Sequence, residues 1–299
     1  MNCVSKDICI VIVCDNHFAV MLAVLIKSIE VNHTSNEGIH IYIVDDGINA
    51  RNKLKIINSI NQEKIKLTWL PINEIIPKDI AFPLDKTTFP LNIYIRLFIP
   101  HFLPQACVKA IYLDVDMVVK KDISLLWNTN INGKTIAGVV DRSEKVSSTW
   151  AGITNYKELG LHPDTKYFNS GLLVIDLNKW RQTTLSLDIL KCIHKNQKFA
   201  DFPDQYGLNV IFANQWFELD HRWNTFATMT EKDPYIIHFI GRKPIYSSYV
   251  NNNSYAADFF QYMKLTKWAD YRLKTEYDHL FSKLRIHSTK ILKRVLRKP

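Results

Sequence analysis

Short continuous apolar runs alternate with helical stretches over the first 70 residues of the chain. The run at 8–13 is rich in β-branched residues and is typical of a strand buried on both faces, as in a parallel sheet, and the runs at 39–44 and 65–70 are predicted as the next two strands. Residues 19–30 and 51–62, which lie between these runs, have helical character. This alternation predicts an α/β fold that begins as a doubly wound sheet. Further strands are predicted at 108–113, 135–140, 172–176 and 235–240.

Carboxylates follow three of the predicted strands. The first strand runs into Asp15-Asn16-His17, the second into Asp45-Asp46-Gly47 and the fourth into Asp114-Val115-Asp116. In open α/β sheets, ligands bind at the carboxyl ends of the strands. The three strand ends therefore predict a polar site that could hold a cation or sugar hydroxyls.

Length and charge narrow the class of protein. The chain has 299 residues, enough for one large α/β domain or two ordinary ones, and its net charge is +9. From Lys264 onward there are eleven Lys and Arg but only three acids, so the remainder of the chain is nearly neutral. A nucleic-acid-binding protein usually carries its basic residues on a folded face, so we expect no nucleic-acid partner.

Several common motifs are absent from the sequence. Neither G-x-G-x-x-G nor G-x-x-x-x-G-K-[ST] occurs, which excludes two frequent phosphate-binding loops. The five cysteines include no C-x-x-C pair, so neither a disulfide framework nor a cysteine-based zinc site is predicted. The apolar run at 8–14 is too short for a signal peptide, and no run approaches the ~18 apolar residues of a transmembrane helix. We therefore expect a cytoplasmic protein.

Asp114-Val115-Asp116 is the sharpest local signal. Carboxylates two residues apart on an extended chain project to one side, and both can reach one divalent ion. Without a glycine-rich loop, a metal is the obvious means of neutralising a diphosphate. Taken alone, however, this D-x-D tripeptide could equally be a solvated turn after a strand.

The surrounding sequence YLDVDMVV resembles the metal-binding segment of nucleotide-sugar glycosyltransferases. Other stretches, from about residue 8 to about 246, are similar to the successive signatures of glycosyltransferase family 8, in particular its bacterial lipopolysaccharide and lipooligosaccharide galactosyl- and glucosyltransferases. These stretches are CDNHFA at 14–19, KSIEVNH at 27–33, YIVDDGI at 42–48, YIRL at 94–97, YFNSGLLVIDLNKWR at 167–181, DQYGLN at 204–209 and HFIGRKPI at 238–245.

The resemblance implies a fold, an activity and a cofactor. The fold is GT-A, a single Rossmann-like nucleotide-binding domain, which we place at residues 1–250. The activity is retaining transfer of galactose or glucose from a UDP-sugar donor to a glycan or glycolipid acceptor, with Mn²⁺ or Mg²⁺ as cofactor. Two alternatives remain open: a self-glucosylating or other-acceptor enzyme of the same family, and a non-catalytic UDP-sugar-binding module.

The resemblance also implies roles for individual residues. Asp114, Asp116 and His238 match the metal ligands, and one imidazole added to two carboxylates favours Mn²⁺ over Mg²⁺. The residues at donor-binding positions are Asp15, His17, Arg96, Asp114, Asn169, Gly241 and Lys243. The catalytic positions, which line the sugar pocket together with Asn169, are Asp141, Asp204 and Gln205. His17 departs from the asparagine that many members have at its position.

Each of these assignments has an ordinary structural alternative. Asp15 could close a turn at a strand end, His238 could be a satisfied core histidine, and Asp204 could cap a helix. Asn169 could be a turn residue and Arg96 a surface ion-pair partner. Lys243 could be an ordinary surface lysine.

Retention at the anomeric carbon requires either two inversions or a front-face substitution. Two inversions need a protein nucleophile, normally a carboxylate, on the far side of the sugar. The matching position holds Gln205, whose amide is a poor nucleophile, and Asp204 is the adjacent carboxylate. We therefore expect front-face substitution, with the metal and Lys243 stabilising the charge that develops on UDP.

The C-terminal region, residues 251–299, is aromatic and basic. Beyond Asp278 it has seven Lys and Arg and no acid, with apolar residues spaced three to four apart for much of the run. This pattern predicts a basic amphipathic helix that attaches the protein to the anionic inner face of the plasma membrane. Trp268, Tyr271 and Tyr277 are the candidate interfacial anchors. The alternative is a helix that packs its apolar stripe on the catalytic domain.

Overall fold

The computed structural model describes residues 7–77, 80, 82, 91–275 and 278. The strands are β1 (Ile8–Asp15), β2 (Ile39–Asp46), β3 (Ile65–Pro71), β4 (Lys109–Leu113), β5 (Met117–Val119), β6 (Ile136–Lys145), β7 (Lys166–Asp176), β8 (Phe217–Glu218), β9 (Thr225–Phe226) and β10 (Ile236–His238). The α-helices are α1 (Ala19–Asn32), α2 (Ala50–Ile57), α3 (Ile72–Ile75), α4 (Ile99–Phe102), α5 (Ile123–Trp127), α6 (Leu177–Arg181), α7 (Leu185–Lys195), α8 (Pro203–Ile211) and α9 (Asn253–Lys264). Shorter 3₁₀ helices cover Leu91–Phe98, Gln197–Phe199 and His221–Asn224.

The larger sheet has seven strands in the order β3-β2-β1-β4-β7-β6-β8. Strands β3, β2, β1 and β4 are parallel, which confirms the predicted doubly wound beginning of an α/β fold. The second half is mixed, because β7 runs antiparallel to both β4 and β6. The late strand predicted at 235–240 is β10, which belongs to a smaller sheet with the order β5-β10-β9.

Strand β1 is buried on both faces because each face has its own core. Ile8, Ile10 and Ile12 pack into a cluster that includes most of α1. Cys9 and Val11 point the other way, into a cluster that contains apolar residues of the 3₁₀ helix at 91–98 and of α7 and α8. This two-sided burial explains why the run lacks the alternation of apolar and polar residues seen in half-exposed strands.

The strand pairings bring distant chain segments to one edge of the larger sheet. The parallel strands place the carboxyl ends of β1, β2 and β4 side by side. Immediately after β4, the Asp114 N–H donates to the Gly171 carbonyl at 2.8 Å, which prolongs the pairing of β4 with β7. Antiparallel pairing of β5 with β10 then places His238 opposite Met117.

The described part of the C-terminal region packs on the same core. Asn32 Nδ2, at the end of α1, donates to the Tyr262 hydroxyl of α9 at 2.7 Å. Trp268 is 7% exposed, and Lys55 Nζ lies 5.0 Å from the centroid of its ring. The prediction that Trp268 anchors the protein in a membrane is therefore wrong, because the ring is enclosed by the protein.

Tyr271, the second candidate anchor, is partly buried and packs against the same core, so its prediction as a membrane anchor is also wrong. The rest of the membrane prediction concerns residues that the structure does not describe. Tyr277 and the basic stripe between residues 279 and 299 lie outside the described residues. Within the described ranges, no helix combines the length and apolar character needed to cross a membrane.

Candidate functional site

Asp114, Asp116 and His238 form a compact cluster at the carboxyl edge of the larger sheet. His238 Nε2 lies 3.2 Å from Asp116 Oδ1 and 3.8 Å from Asp114 Oδ2. One ligand atom from each of the three residues lies within 4.8 Å of the other two. The pairing of β10 with β5 delivers His238 to the two aspartates, so the three residues predicted as a ligand set do come together.

Lys243 reaches the same cluster from the turn after β10. Its Nζ contacts Asp116 Oδ2 and donates to the Phe239 carbonyl at 2.7 Å. Gly241 has a φ of 69°, a backbone region that favours glycine, and the chain turns there before it returns at Lys243. Burial alone would raise the pKa of Asp116, but the charge of Lys243 and, when the imidazole is protonated, that of His238 hold this pKa well below its ordinary value. Lys243 is therefore more than an ordinary surface lysine.

Arg96 joins the cluster to a neighbouring pocket. Its Nη2 donates to Asp114 Oδ1 at 3.0 Å, its Nε lies 3.2 Å from Asp204 Oδ2, and its Nη1 donates to the Ser170 carbonyl at 2.6 Å. Burial by itself would lower the pKa of Arg96, but the charges of Asp114, Tyr112 and Asp204 raise it above the ordinary value. The guanidinium is buried, so the alternative of a surface ion-pair partner is wrong.

The cluster has the chemistry and the space that a divalent cation requires. Two carboxylates and one imidazole are a suitable donor set for Mn²⁺. A Cβ added at Gly171 would lie 2.6 Å from His238 Cε1 and 2.7 Å from Asp114 Oδ2, so the glycine keeps the gap between these two ligands open. The role of Gly171 was not predicted, although a glycine inside a strand is a known sign of close approach by a ligand or a backbone.

A second group of polar side chains, which we call the polar pocket, lies next to the cluster and is linked to it by Arg96. It contains the three predicted catalytic residues together with Asn169: Asp141 comes from β6, Asn169 from β7, and Asp204 and Gln205 from α8. Asn169 Nδ2 donates to Asp141 Oδ2 at 2.8 Å and to Gln205 Oε1 at 3.2 Å. Gln205 Nε2 donates to Asp141 Oδ2 at 3.3 Å, and Gln205 Oε1 accepts the Ser170 N–H at 3.0 Å. The fold therefore brings these four residues together from distant parts of the sequence, and their contact with a sugar stays a prediction.

Asp204 is a buried member of this pocket and not a helix cap. The N-cap of α8 is Phe202, and Asp204 lies within the first turn. Its Oδ2 accepts from Ser170 Oγ at 3.0 Å and pairs with Arg96. Burial raises the pKa of Asp204, even though the charge of Arg96 acts in the opposite direction.

The carboxylates at the ends of β1 and β2 hold turns. Asp15 Oδ1 accepts the N–H groups of His17 and Phe18 at 2.9 and 3.0 Å, at the start of α1. Asp45 Oδ1 accepts the Ile48 N–H at 2.6 Å, while Asp45 Oδ2 pairs with a lysine of α2. The structural alternative for Asp15 is therefore confirmed, and its contact with a donor base stays a prediction.

Two residues that the sequence did not single out complete the surroundings of His17. Its Nε2 lies 2.6 Å from the Tyr246 hydroxyl, and Lys274 Nζ lies 3.0 Å from its Nδ1. Lys274 is held there because its backbone N–H donates to the Ile245 carbonyl at 2.9 Å. No sequence signal could have identified Lys274, since 257 positions separate it from His17.

Asn224 is a further residue that the sequence did not identify. It immediately precedes β9, which runs parallel to β10. Asn224 Oδ1 lies 2.9 Å from His238 Nδ1, and Asn224 Nδ2 donates to Asn169 Oδ1 at 2.9 Å. The residue thus bridges the metal-ligand cluster and the polar pocket.

Comparisons of the sequence with known proteins point to one family. The sequence model described as Glycosyl transferase family 8 matches residues 9–244. General stress protein A of Bacillus subtilis is 28% identical over 275 residues, which are 85% of this chain and 92% of that protein. The lipopolysaccharide 1,2-glucosyltransferase of Escherichia coli is 28% identical over 208 residues, which are 70% of this chain but only 59% of that protein.

The fold is shared with solved glycosyltransferase structures. The galactosyltransferase LgtC, solved in complex with donor and acceptor sugar analogues, superposes with a TM-score of 0.72 at 23% identity, over 89% of this chain and 100% of that one. This likeness confirms the predicted GT-A fold.

Proposed function

The chain belongs to glycosyltransferase family 8, and on that premise we propose that it is a retaining hexosyltransferase that moves galactose or glucose from a UDP-sugar to a glycan acceptor. The observation that carries the proposal is the juxtaposition of two chemically different groups. The cluster of Asp114, Asp116 and His238 suits a cation, and the pocket around Asn169 and Gln205 offers both donors and acceptors for sugar hydroxyls.

Asp114, Asp116 and His238 would hold the cation, which we propose to be Mn²⁺ or Mg²⁺. A divalent cation bound there would neutralise the diphosphate and favour departure of UDP. Lys243, which pairs with Asp116, would supply a second positive charge beside the cation. Such fixed charges, already in place around the leaving group, lower the barrier because they need little rearrangement during the reaction.

The donor nucleotide would lie along the edge between this cluster and the end of β1. We assign the base to Asp15, whose carboxylate can accept the imide N–H of uracil. His17 and the backbone at Gly241 complete the donor site in this proposal. Arg96 supports the donor site from the protein interior, where it is buried and orients both Asp114 and Asp204.

The pocket favours a front-face substitution over a two-step route. Gln205 is an amide, and its oxygen already accepts the N–H groups of Ser170 and Asn169. The neighbouring Asp204 is held by Arg96 and by the Ser170 hydroxyl. In the proposed step, the acceptor oxygen attacks the anomeric carbon on the face that UDP leaves, and the acceptor proton passes to the departing β-phosphate oxygen. Asp141 and Gln205 position the sugar.

The acceptor that we propose is the saccharide of a bacterial lipopolysaccharide or lipooligosaccharide. Support comes from the similarity to the E. coli lipopolysaccharide glucosyltransferase. An acceptor of this kind is lipid-linked, which agrees with the proposal that the protein is cytoplasmic and attached peripherally to the inner face of the membrane through its basic C-terminal residues. Each basic residue near an anionic leaflet contributes about 1 kcal/mol, so seven would give reversible, salt-sensitive binding.

A donor screen with the purified protein tests the proposal. UDP release is followed from UDP-galactose and UDP-glucose, with Mn²⁺, with Mg²⁺ and with excess EDTA. We expect release from one of these donors only when a divalent ion is present, and an α-type anomeric proton coupling in the product. A β-type coupling would contradict retention, and undiminished release in EDTA would contradict metal dependence.

The membrane proposal needs a separate experiment. Deletion of residues 279–299 should weaken binding to anionic vesicles while transfer to a small soluble acceptor is unchanged. Vesicles of neutral lipid serve as the control. Equal binding of the full-length and shortened proteins to anionic vesicles would show that this segment has another role.

A further inference from the structure

Four polar side chains form a continuous hydrogen-bonded chain that ends at His238. Asp141, Asn169, Asn224 and His238 are joined by contacts of 2.8, 2.9 and 2.9 Å in that order. Asn224 is 2% exposed and His238 is 3% exposed, so bulk water does not compete for the last link. The chain crosses from the polar pocket to the metal-ligand cluster.

Two groups set the direction of these hydrogen bonds, because one can only donate and the other can only accept. The Gly171 backbone N–H donates to Asn169 Oδ1 at 3.0 Å, and the Asp141 carboxylate can only accept from Asn169 Nδ2. Asn169 Oδ1 therefore also accepts from the amino group of Asn224. With its amino group committed, Asn224 turns its carbonyl oxygen toward His238 Nδ1.

This orientation determines which nitrogen of His238 carries the proton. An amide oxygen has no proton to donate, so the proton of a neutral imidazole lies on Nδ1 and the lone pair on Nε2. His238 Nε2 faces Asp116 Oδ1 and Asp114 Oδ2. Three acceptors then converge without a proton between them, which is the arrangement that a divalent cation satisfies.

We propose that Asn224 is a positioning residue for the cation site. Its carbonyl oxygen keeps the proton of His238 on Nδ1 and directs the lone pair of Nε2 toward Asp114 and Asp116. Asn224 acts only through His238 and does not itself bind the cation. The inference rests on the proposed metal-dependent function, and the experiment below separates its failure from the failure of that function.

The experiment measures the affinity of the full-length protein for Mn²⁺ alone, by electron paramagnetic resonance of the free ion, without donor or acceptor. Asn224→Ala removes the acceptor for Nδ1–H and should raise the Kd about 10- to 100-fold. Asn224→Asp keeps an oxygen for Nδ1–H, and carboxylate–histidine–metal arrangements bind well, so its Kd should stay within about threefold of the wild-type value.

Asn155→Ala is the matched control. Asn155 is also buried, donates to Asn196 Oδ1 at 3.0 Å and accepts from the Tyr206 hydroxyl at 2.8 Å, away from the cluster. Its loss removes a comparable buried amide, so the Kd for Mn²⁺ should be unchanged. Thermal unfolding of every variant shows whether the protein is folded at the temperature of the titration.

A purely structural role for Asn224 predicts a different pattern. Both Asn224→Ala and Asn224→Asp remove the amino group that donates to Asn169, so both would then weaken Mn²⁺ binding to the same degree. That result, or an unchanged Kd in Asn224→Ala, would overturn the proposed role of Asn224. Binding of Mn²⁺ by the wild-type protein would still support the cation site itself. A wild-type protein without affinity for Mn²⁺ would overturn both.

A second measurement needs no variant. Long-range ¹H–¹⁵N correlation spectra of the metal-free wild-type protein at mildly alkaline pH distinguish the two neutral forms of His238. We expect the proton on Nδ1 and an unprotonated Nε2. A proton on Nε2 would overturn the proposal.

Discussion

Carboxylates lie at the ends of three neighbouring strands, yet they fall into two groups with different roles. Asp15 and Asp45, after β1 and β2, each direct an oxygen at backbone N–H groups of the following turn. Asp114 and Asp116, after β4, each pair one oxygen with a basic side chain, Arg96 or Lys243, and direct the other at His238. The first group supports the scaffold, and the second forms a place for a cation.

The difference teaches that position at a strand end does not make a carboxylate a ligand. What decides is whether an oxygen of the carboxylate is left facing other acceptors. An oxygen that accepts backbone N–H groups is satisfied by the protein itself. Carboxylates that converge with an imidazole nitrogen leave several acceptors facing one another, and a cation relieves that arrangement.

Asp116→Asn should break the second group and produce the largest effect. The substitution removes a charge that both His238 and Lys243 face, so cation binding and transfer should be lost together. Because a bound metal contributes several kcal/mol of transition-state stabilisation, kcat should fall about 1000-fold or more. Steady-state UDP release at saturating Mn²⁺ measures this, with circular dichroism to verify folding. Transfer within tenfold of the wild-type rate would show that the cluster is not the cation site.

Gly171→Ala tests the space inside the cluster. The added methyl group would meet His238 and Asp114, and overpacking of about 1–3 kcal/mol corresponds to an affinity for Mn²⁺ that is about 5- to 150-fold weaker. Gly138→Ala is the matched control, since its Cβ would meet the Phe168 ring at 3.2 Å instead. Equal Mn²⁺ affinities in the two variants would mean that Gly171 does not guard the gap.

Asp15→Asn asks whether a scaffold carboxylate also contacts the donor. The amide oxygen can still accept the N–H groups of His17 and Phe18, so the turn should survive. Loss of a charged acceptor for the base should raise the KM for the UDP-sugar about tenfold at nearly constant kcat. Donor titrations at saturating Mn²⁺ provide the measurement. An unchanged KM would assign Asp15 to the scaffold alone.

Asp45→Asn should have the smallest effect. Its Oδ1 contact with the Ile48 N–H can be kept by the amide, and the partner of its Oδ2 is the half-exposed Lys53. Loss of this pair should reduce the free energy of unfolding by about 1 kcal/mol or less. Chemical denaturation measures the change, and transfer by the folded protein should be the same as in the wild type. A large loss of transfer would show that Asp45 has a role in the site, like Asp114 and Asp116.

The early strands and the acidic tripeptide could be predicted because their signals are local. An unbroken apolar run reflects burial on both faces of a sheet, as β1 and β2 show over nearly their whole length. Two aspartates separated by a single residue carry their chemistry in one short segment. The resemblance to family signatures added His238 and the pocket residues, and the structure brings them together with the D-x-D aspartates.

Other members of the site depend on contacts that no local pattern records. Asn224 meets His238 because β9 pairs with β10, and Lys274 meets His17 because a late segment lies along the turn after β10. Trp268 shows the same limit, since an aromatic residue in a basic region suggested a membrane anchor but packs in the core.

The sequence by itself determined the parallel half of the sheet, the edge at which a site forms and the residue types available there. These follow from burial patterns and strand ends, which are properties of short segments. Only the tertiary structure decided which carboxylates serve turns and which face His238, because hydrogen-bond partners such as Lys243 and Asp116 lie 127 positions apart. Whether a polar atom has a hydrogen-bond partner depends on its neighbours in space, and only the folded chain brings those neighbours together.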